Sequence, residues 1–184
     1  MDERQCKRGE IAVKYFCDLN YVEKNSNILV VNTEEDIIGK LLNDNDYTNV
    51  DILYCVSEQR KQWITKASNV KSSEAVKITT IENDEQGYPF KKQQYEVVIM
   101  AIDPTIGKNI LPSFEIIIQW VKSGGLICWS MDQLNVSDID GKFDRSIMDL
   151  CDKCKWLSVL GYPRSLTDYI EPGINGMFHA MQVV

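Results

Sequence analysis

Between Ile28 and Leu42 the sequence runs ILVVNTEEDIIGKLL, an apolar stretch, a polar turn and an amphipathic continuation, and its chemistry depends on Asn32-Thr33-Glu34-Glu35-Asp36. A strand-to-helix turn that cradles a nucleotide-like ligand uses glycines. They supply positive φ and bring bare amides against the ligand, with a helix N-terminus behind them. Here every position carries a Cβ, and holding such a residue in the left-handed region costs roughly 1–2 kcal/mol. Glu34, Glu35 and Asp36 also bring negative charge to the place where an anionic ligand group would approach. The same acids suit a helix start, where they complement the macrodipole behind Thr33 as N-cap. The turn is therefore expected to serve stability rather than to bind a ligand in the usual way.

Other reactive side chains are scattered. Cys151 and Cys154 form a CxxC in DLCDKCKW, but a tetrahedral zinc site needs about two further ligands and only His179 and dispersed cysteines remain. His179 is the single histidine and lies in the apolar segment GMFHAMQVV, which reads as a packed strand histidine rather than a base. No Ser-His-Asp set, phosphate-binding loop or paired-carboxylate motif stands out. Trp63, Trp120, Trp129 and Trp156 fall in or beside expected elements, and Trp129 is placed to meet a ligand at the end of its strand.

Composition narrows the classes further. At 184 residues, 44% hydrophobic and 26% charged, the chain suits one globular domain. A net charge of −7 and a pI near 4.8 disfavour a broad nucleic-acid or anionic-membrane surface. No apolar run reaches membrane-spanning length and MDERQCKRGE is too charged for a signal peptide, so cytoplasm or nucleus is expected. Six cysteines in that setting read as reduced thiols, with Cys17, Cys55 and Cys128 in apolar stretches. The sequon at Asn135-Val136-Ser137 then has no role.

The elements that must position these groups alternate regularly. Helical spacing covers Ile11 to Leu19, then Asp36 to Leu42, a segment opening at Ser57 and running to Lys66, Pro112 to Lys122, and Phe143 to Trp156. Strands are expected at Ile28 to Val31, Asp51 to Val56, Lys77 to Ile81, Glu96 to Ala101, Leu126 to Ser130 and Gly176 to Val184. Ser123-Gly124-Gly125 reads as a helix stop. No repeat or linker divides the chain. This order predicts an α/β fold, Rossmann-like and doubly wound around a mainly parallel sheet.

Tyr88-Pro89-Phe90, then Tyr95-Glu96-Val97-Val98-Ile99, then Lys122-Ser123-Gly124-Gly125 followed by LICWS, form a colinear series. It resembles the second half of class I S-adenosylmethionine-dependent methyltransferases, and is most similar to the Williams–Beuren-region methyltransferase-like family. There an LPF turn precedes FDxVi, a helix ends in KPGG, and a strand ends in Ser or Thr. The resemblance implies a sheet of about seven strands, the last antiparallel, in a single domain over 1–184. It also implies that the helices which usually cap the site ahead of Ile11 are missing.

Carried over by position, the family's cofactor sites are degenerate here. The glycine loop falls on Asn32, Thr33, Glu34 and Asp36. The acid that would hold the ribose hydroxyls falls on Cys55, and a thiol cannot accept two charge-assisted hydrogen bonds. The acid facing the adenine amino group falls on Asp84, which equally suits the turn NDEQG. The fourth-motif region falls on Ala101-Ile102-Asp103-Pro104, with Ala101 and Asp103 as the positions of interest. The expected protein is a catalytically inactive methyltransferase-like domain, with no cofactor, no catalytic residue and no metal. It would work through a protein partner as regulator, scaffold or partner subunit. The alternative is an active methyltransferase that binds S-adenosylmethionine through an unconventional loop, and a third reading is a small-molecule sensor. The tail from Trp156 through Tyr169 and Ile170 is expected either to expose an apolar patch or to cover the far edge of the sheet.

Overall fold

The computed structural model describes residues 3–32, 37–55, 76–81, 90–102, 114–132 and 142–184. Four helices are described: α1 (Glu3–Leu19), α2 (Ile37–Asp44), α3 (Phe114–Trp120) and α4 (Lys142–Asp152). The strands are β1 (Ile28–Asn32), β2 (Val50–Cys55), β3 (Val76–Ile81), β4 (Tyr95–Ile102) and β5 (Val121–Asp132), followed by β6 (Trp156–Ser158), β7 (Arg164–Leu166) and β8 (Gly176–Val183). They form one sheet in the order β3-β2-β1-β4-β5-β8-β6, with β7 also on β8. Strands β1 to β5 are parallel, whereas β8 runs antiparallel to β5, β6 and β7. Because β5 lines one side of β8 along most of its length, β6 and β7 share the other side and fill a seventh position between them.

Near-continuous apolar strands are what a sheet covered on both faces requires. Ile28, Leu29, Val30 and Val31 are all buried, and they alternate between two cores. Ile28, Val30, Ile52, Val97, Ile99, Leu126 and Cys128 pack under α1 and α2. Leu29, Val31, Leu53, Val98, Ile127 and Trp129 pack with α3 and Leu150 of α4 on the opposite face. Burial of each large side chain contributes roughly 1.5–3 kcal/mol, so the doubled core is the main source of stability.

Helix α1 starts well ahead of the apolar spacing at Ile11 and carries Arg8, Gly9, Ala12, Val13 and Phe16 on its buried face. Gly9 is where α1 meets α2: a Cβ there would lie 3.3 Å from both Ile37 Cγ2 and Ile38 Cγ1. Helix α3 ends at Trp120 and β5 begins at once with Val121 paired to Tyr95, while Leu126 pairs to Val97. The segment Lys122 to Gly125 therefore bulges out of β5. Gly124 takes φ +81, and a Cβ on Gly125 would stand 2.6 Å from the Glu96 carbonyl oxygen. The two glycines shape a strand irregularity here rather than the helix stop expected of them, because α3 has already ended at Trp120.

Helix α4 stops at Asp152, so Trp156 belongs to β6, and neither β6 nor β7 was apparent in the sequence. Trp156, Tyr169 and Ile170 are buried, which makes this stretch a cover for the sheet's edge and leaves the exposed apolar groups as Leu157, Val159 and Tyr162. Among the described residues no helix is long and apolar enough to cross a membrane. The helix expected from Ser57 to Lys66 lies outside the described residues, as do Tyr88, Pro89 and the start expected at Pro112.

Candidate functional site

In an open α/β sheet, ligands bind beyond the carboxyl ends of the strands where the strand order reverses. That point lies between β1 and β4, which are neighbours although the chain leaves β1 toward β2 and β4 toward β5. Val31 stands opposite Met100, so Asn32 and Ala101 follow side by side at the edge, and Ala101 is itself paired to Ser130. Cys55 closes β2 one residue beyond Tyr54, the partner of Asn32. The strand-end positions named from the sequence, Asn32, Cys55 and Ala101, thus converge on one edge, with Ala101 buried beneath α1. Thr33, Glu34, Asp36, Asp84 and Asp103 lie outside the described residues.

Beside the switch point stands a polar cluster absent from the sequence reading. Arg8 of α1 donates from Nη2 to Asp132 Oδ2 at 2.8 Å and from Nε to Oδ1 at 3.4 Å. The side chains of this ion pair are only 5% and 6% exposed. Ser130 donates to the Arg8 carbonyl oxygen at 3.2 Å and accepts from the Tyr169 hydroxyl at 2.7 Å. Tyr169 holds its place because Gly176 has no side chain, since a Cβ there would fall 2.4 Å from the ring. Farther out, Arg4 meets Glu171 at 2.7 Å. Helix α1, the end of β5 and the β7–β8 loop are thereby tied together over one side of the crevice.

The signal for this cluster was present but faint. Arg8 sits at helical spacing with Ala12 and Phe16, a charge in an otherwise apolar stripe, and Asp132 directly follows the buried run LICWSM. A buried charge needs a partner, so each implied the other.

Across the sheet, Trp129 is fully buried and stacked on His179, with ring centroids 4.6 Å apart and planes 8° from parallel. Phe114 and Trp156 complete the cluster at 4.9 Å and 5.7 Å from the Trp129 ring. Trp129 is therefore packed rather than presented to the crevice. Burial pushes the His179 imidazole down to about 4, so it is neutral near pH 7. Its Nε2 has no hydrogen-bond partner among the described residues. Its position agrees with a packed strand histidine.

Four strand ends of the described edge bear on S-adenosylmethionine binding. A ribose diol calls for a carboxylate at the end of β2, and Cys55 stands there. Strands β1 and β4 end in Asn32 and Ile102, and the acid ending β5 is already engaged by Arg8. No group of three or more His, Cys, Asp and Glu side chains suited to a metal occurs among the described residues.

No protein-family model matches the sequence, and no curated protein matches it. Solved structures match over nearly its whole length. An S-adenosylmethionine-dependent methyltransferase from Methanosarcina mazei superposes with a TM-score of 0.61 at 12% identity, over 91% of this chain and 97% of that one. One from Mesorhizobium loti gives 0.62 at 6% identity, over 95% and 99%. Geranyl diphosphate C-methyltransferase from Streptomyces coelicolor A3(2), solved with Mg2+, geranyl diphosphate and S-adenosyl-L-homocysteine, gives 0.59 at 10% identity, over 95% and 78%. At these identities the likeness is one of fold. The chain has the class I S-adenosylmethionine-dependent methyltransferase-like fold, Rossmann-like and mainly parallel with antiparallel strands at one end.

Proposed function

We propose that this domain keeps the methyltransferase fold but acts by binding a protein partner rather than by transferring methyl groups. The observation that carries the reading is Cys55 as the last residue of β2, the position where this fold would present the ribose-binding acid. The glycine-free segment Asn32 to Asp36 supports it from the sequence. In this reading the partner contacts the acidic turn Glu34 to Asp36, the rim around Cys55 and Asp84, or the exposed Leu157, Val159 and Tyr162. The acidic net charge favours a protein surface over nucleic acid or membrane, in cytoplasm or nucleus.

A second reading, an active methyltransferase with an unconventional cofactor loop, draws on the intact β1/β4 switch point and on the retained acid at Asp84. In the solved geranyl diphosphate methyltransferases the ligands include S-adenosylmethionine and S-adenosyl-L-homocysteine. Calorimetric titration of the purified chain with both compounds separates the readings. The binding reading expects no saturable heat up to millimolar ligand from folded protein. Micromolar binding weakened by Asp84→Asn, or a methylated product, would overturn it.

A further inference from the structure

Helix α4 ends in a turn whose sulfur atoms the crevice does not use. The Cys154 amide donates to the Cys151 carbonyl at 2.8 Å and the Lys155 amide to the Leu150 carbonyl at 2.9 Å. This double closure puts Cys154 in the left-handed conformation at φ +51, the position where helices ordinarily carry glycine. Cys154 is exposed, so packing does not account for a side chain there. Six residues back, Met148 is 58% exposed, although methionine usually fills gaps in a core. Cys151 lies between them, half-buried at the border of the apolar stripe made by Ile147 and Leu150.

Met148 and Cys151 are three residues apart within α4, so their side chains are neighbours on the helix surface. The hydrogen-bonded turn brings Cys154 back beside Cys151. One thioether and two thiols thus fall within seven residues at the C-terminal end of α4, where the helix macrodipole favours a cation. Lys153 and Lys155 follow in the closing turn, just beyond the last turn of α4. Soft sulfur ligands select a soft cation, and copper(I) is the common biological ion of that kind.

We propose that Met148, Cys151 and Cys154 form a sulfur-only site for copper(I). Binding releases the two thiol protons to solvent, and both thiolates and the thioether donate electron pairs to the ion without any change in its oxidation state. The site lies away from the crevice. Cys154 precedes β6, whose first residue pairs with Val183, and the adjacent Gln182 is opposite Leu126, near the amino end of the β5 core segment. A role in copper handling or copper-dependent association is therefore independent of whether S-adenosylmethionine binds.

The test is anaerobic titration of the reduced chain with copper(I) against bathocuproine disulfonate, with X-ray absorption on the product. The expected result is one tightly held equivalent in a shell of sulfur alone. Cys151→Ser or Cys154→Gly should weaken it by about a hundredfold or more, and Met148→Leu by about tenfold, since even groups behind a metal's ligands are worth about 10–100-fold in affinity. The glycine variant is informative because it suits the left-handed turn and should fold as well as the parent, which circular dichroism checks. Cys6→Ser with Cys17→Ser should leave binding unchanged. Absence of binding, nitrogen or oxygen ligands in the shell, or unchanged affinity in Cys154→Gly would overturn the assignment.

Discussion

Arg8 and Asp132 meet 2.8 Å apart in a nearly closed environment, joining the first helix to the end of β5. Removing one member of a buried pair leaves the other charge desolvated and costs about 3–5 kcal/mol. Asp132→Ala is expected to lower the unfolding free energy, measured in urea, by that amount. Replacing both residues by apolar groups, as in Arg8→Met with Asp132→Leu, should recover most of the loss. A double-mutant cycle from denaturation curves measures the coupling.

Tyr169 makes a weaker claim on the same cluster. Tyr169→Phe removes the hydrogen bond to Ser130 and is expected to cost about 0.5–1.5 kcal/mol. Gly176→Ala forces a methyl group into the Tyr169 ring and should cost about 1–3 kcal/mol by overpacking. Thermal and urea unfolding rank the two, with the glycine substitution the more damaging.

His179 gives the fold a specific response to acid. Its folded-state pKa is depressed to about 4 by burial, so the fold favours the neutral ring. The contribution is fully present above the unfolded value of about 6.5 and is lost as pH falls through 4. Over that window wild type should lose roughly 2–3 kcal/mol more than His179→Phe, which keeps a flat ring against Trp129. Stability measured against pH in both proteins checks the difference. Parallel curves would remove His179 from the account.

Thiol chemistry should sort by depth. Cys128 is fully buried and desolvation pushes its thiol well up, whereas Cys154 is exposed. In native protein iodoacetamide is expected to modify Cys154 while Cys128 stays unmodified until the chain unfolds. Peptide mass mapping of timed samples reads this directly.

The strands were legible because a buried parallel sheet writes them as uninterrupted apolar runs, and β1, β2, β4 and β8 fall within a residue or two of their expected ends. The first turns of α1 were not legible. ERQCKRGE lacks apolar periodicity, and its place in the helix rests on Arg8 finding Asp132 far along the chain, with Gly9 fitting against α2. Likewise β6 and β7 have three residues each, too few to show a period, and exist because β8 offers them an edge. At the crevice the sequence offered positions without partners. It put Asn32, Cys55 and Ala101 at strand ends but did not anticipate that Ser130, Asp132 and Tyr169 would meet Arg8 beside them.

The seventh position of the sheet, divided between β6 and β7, bears on self-association. An uninterrupted edge strand is a template on which another chain can add itself, by amyloid-like stacking or by domain swapping. Here the outer edge offers two three-residue strands separated by the turn through Gly161 and Pro163. Neither is long enough to seed a continuous ladder. The edge is thereby blunted against aggregation, and a protein docking there must recognise side chains such as Leu157 and the 85% exposed Tyr162 rather than add a strand.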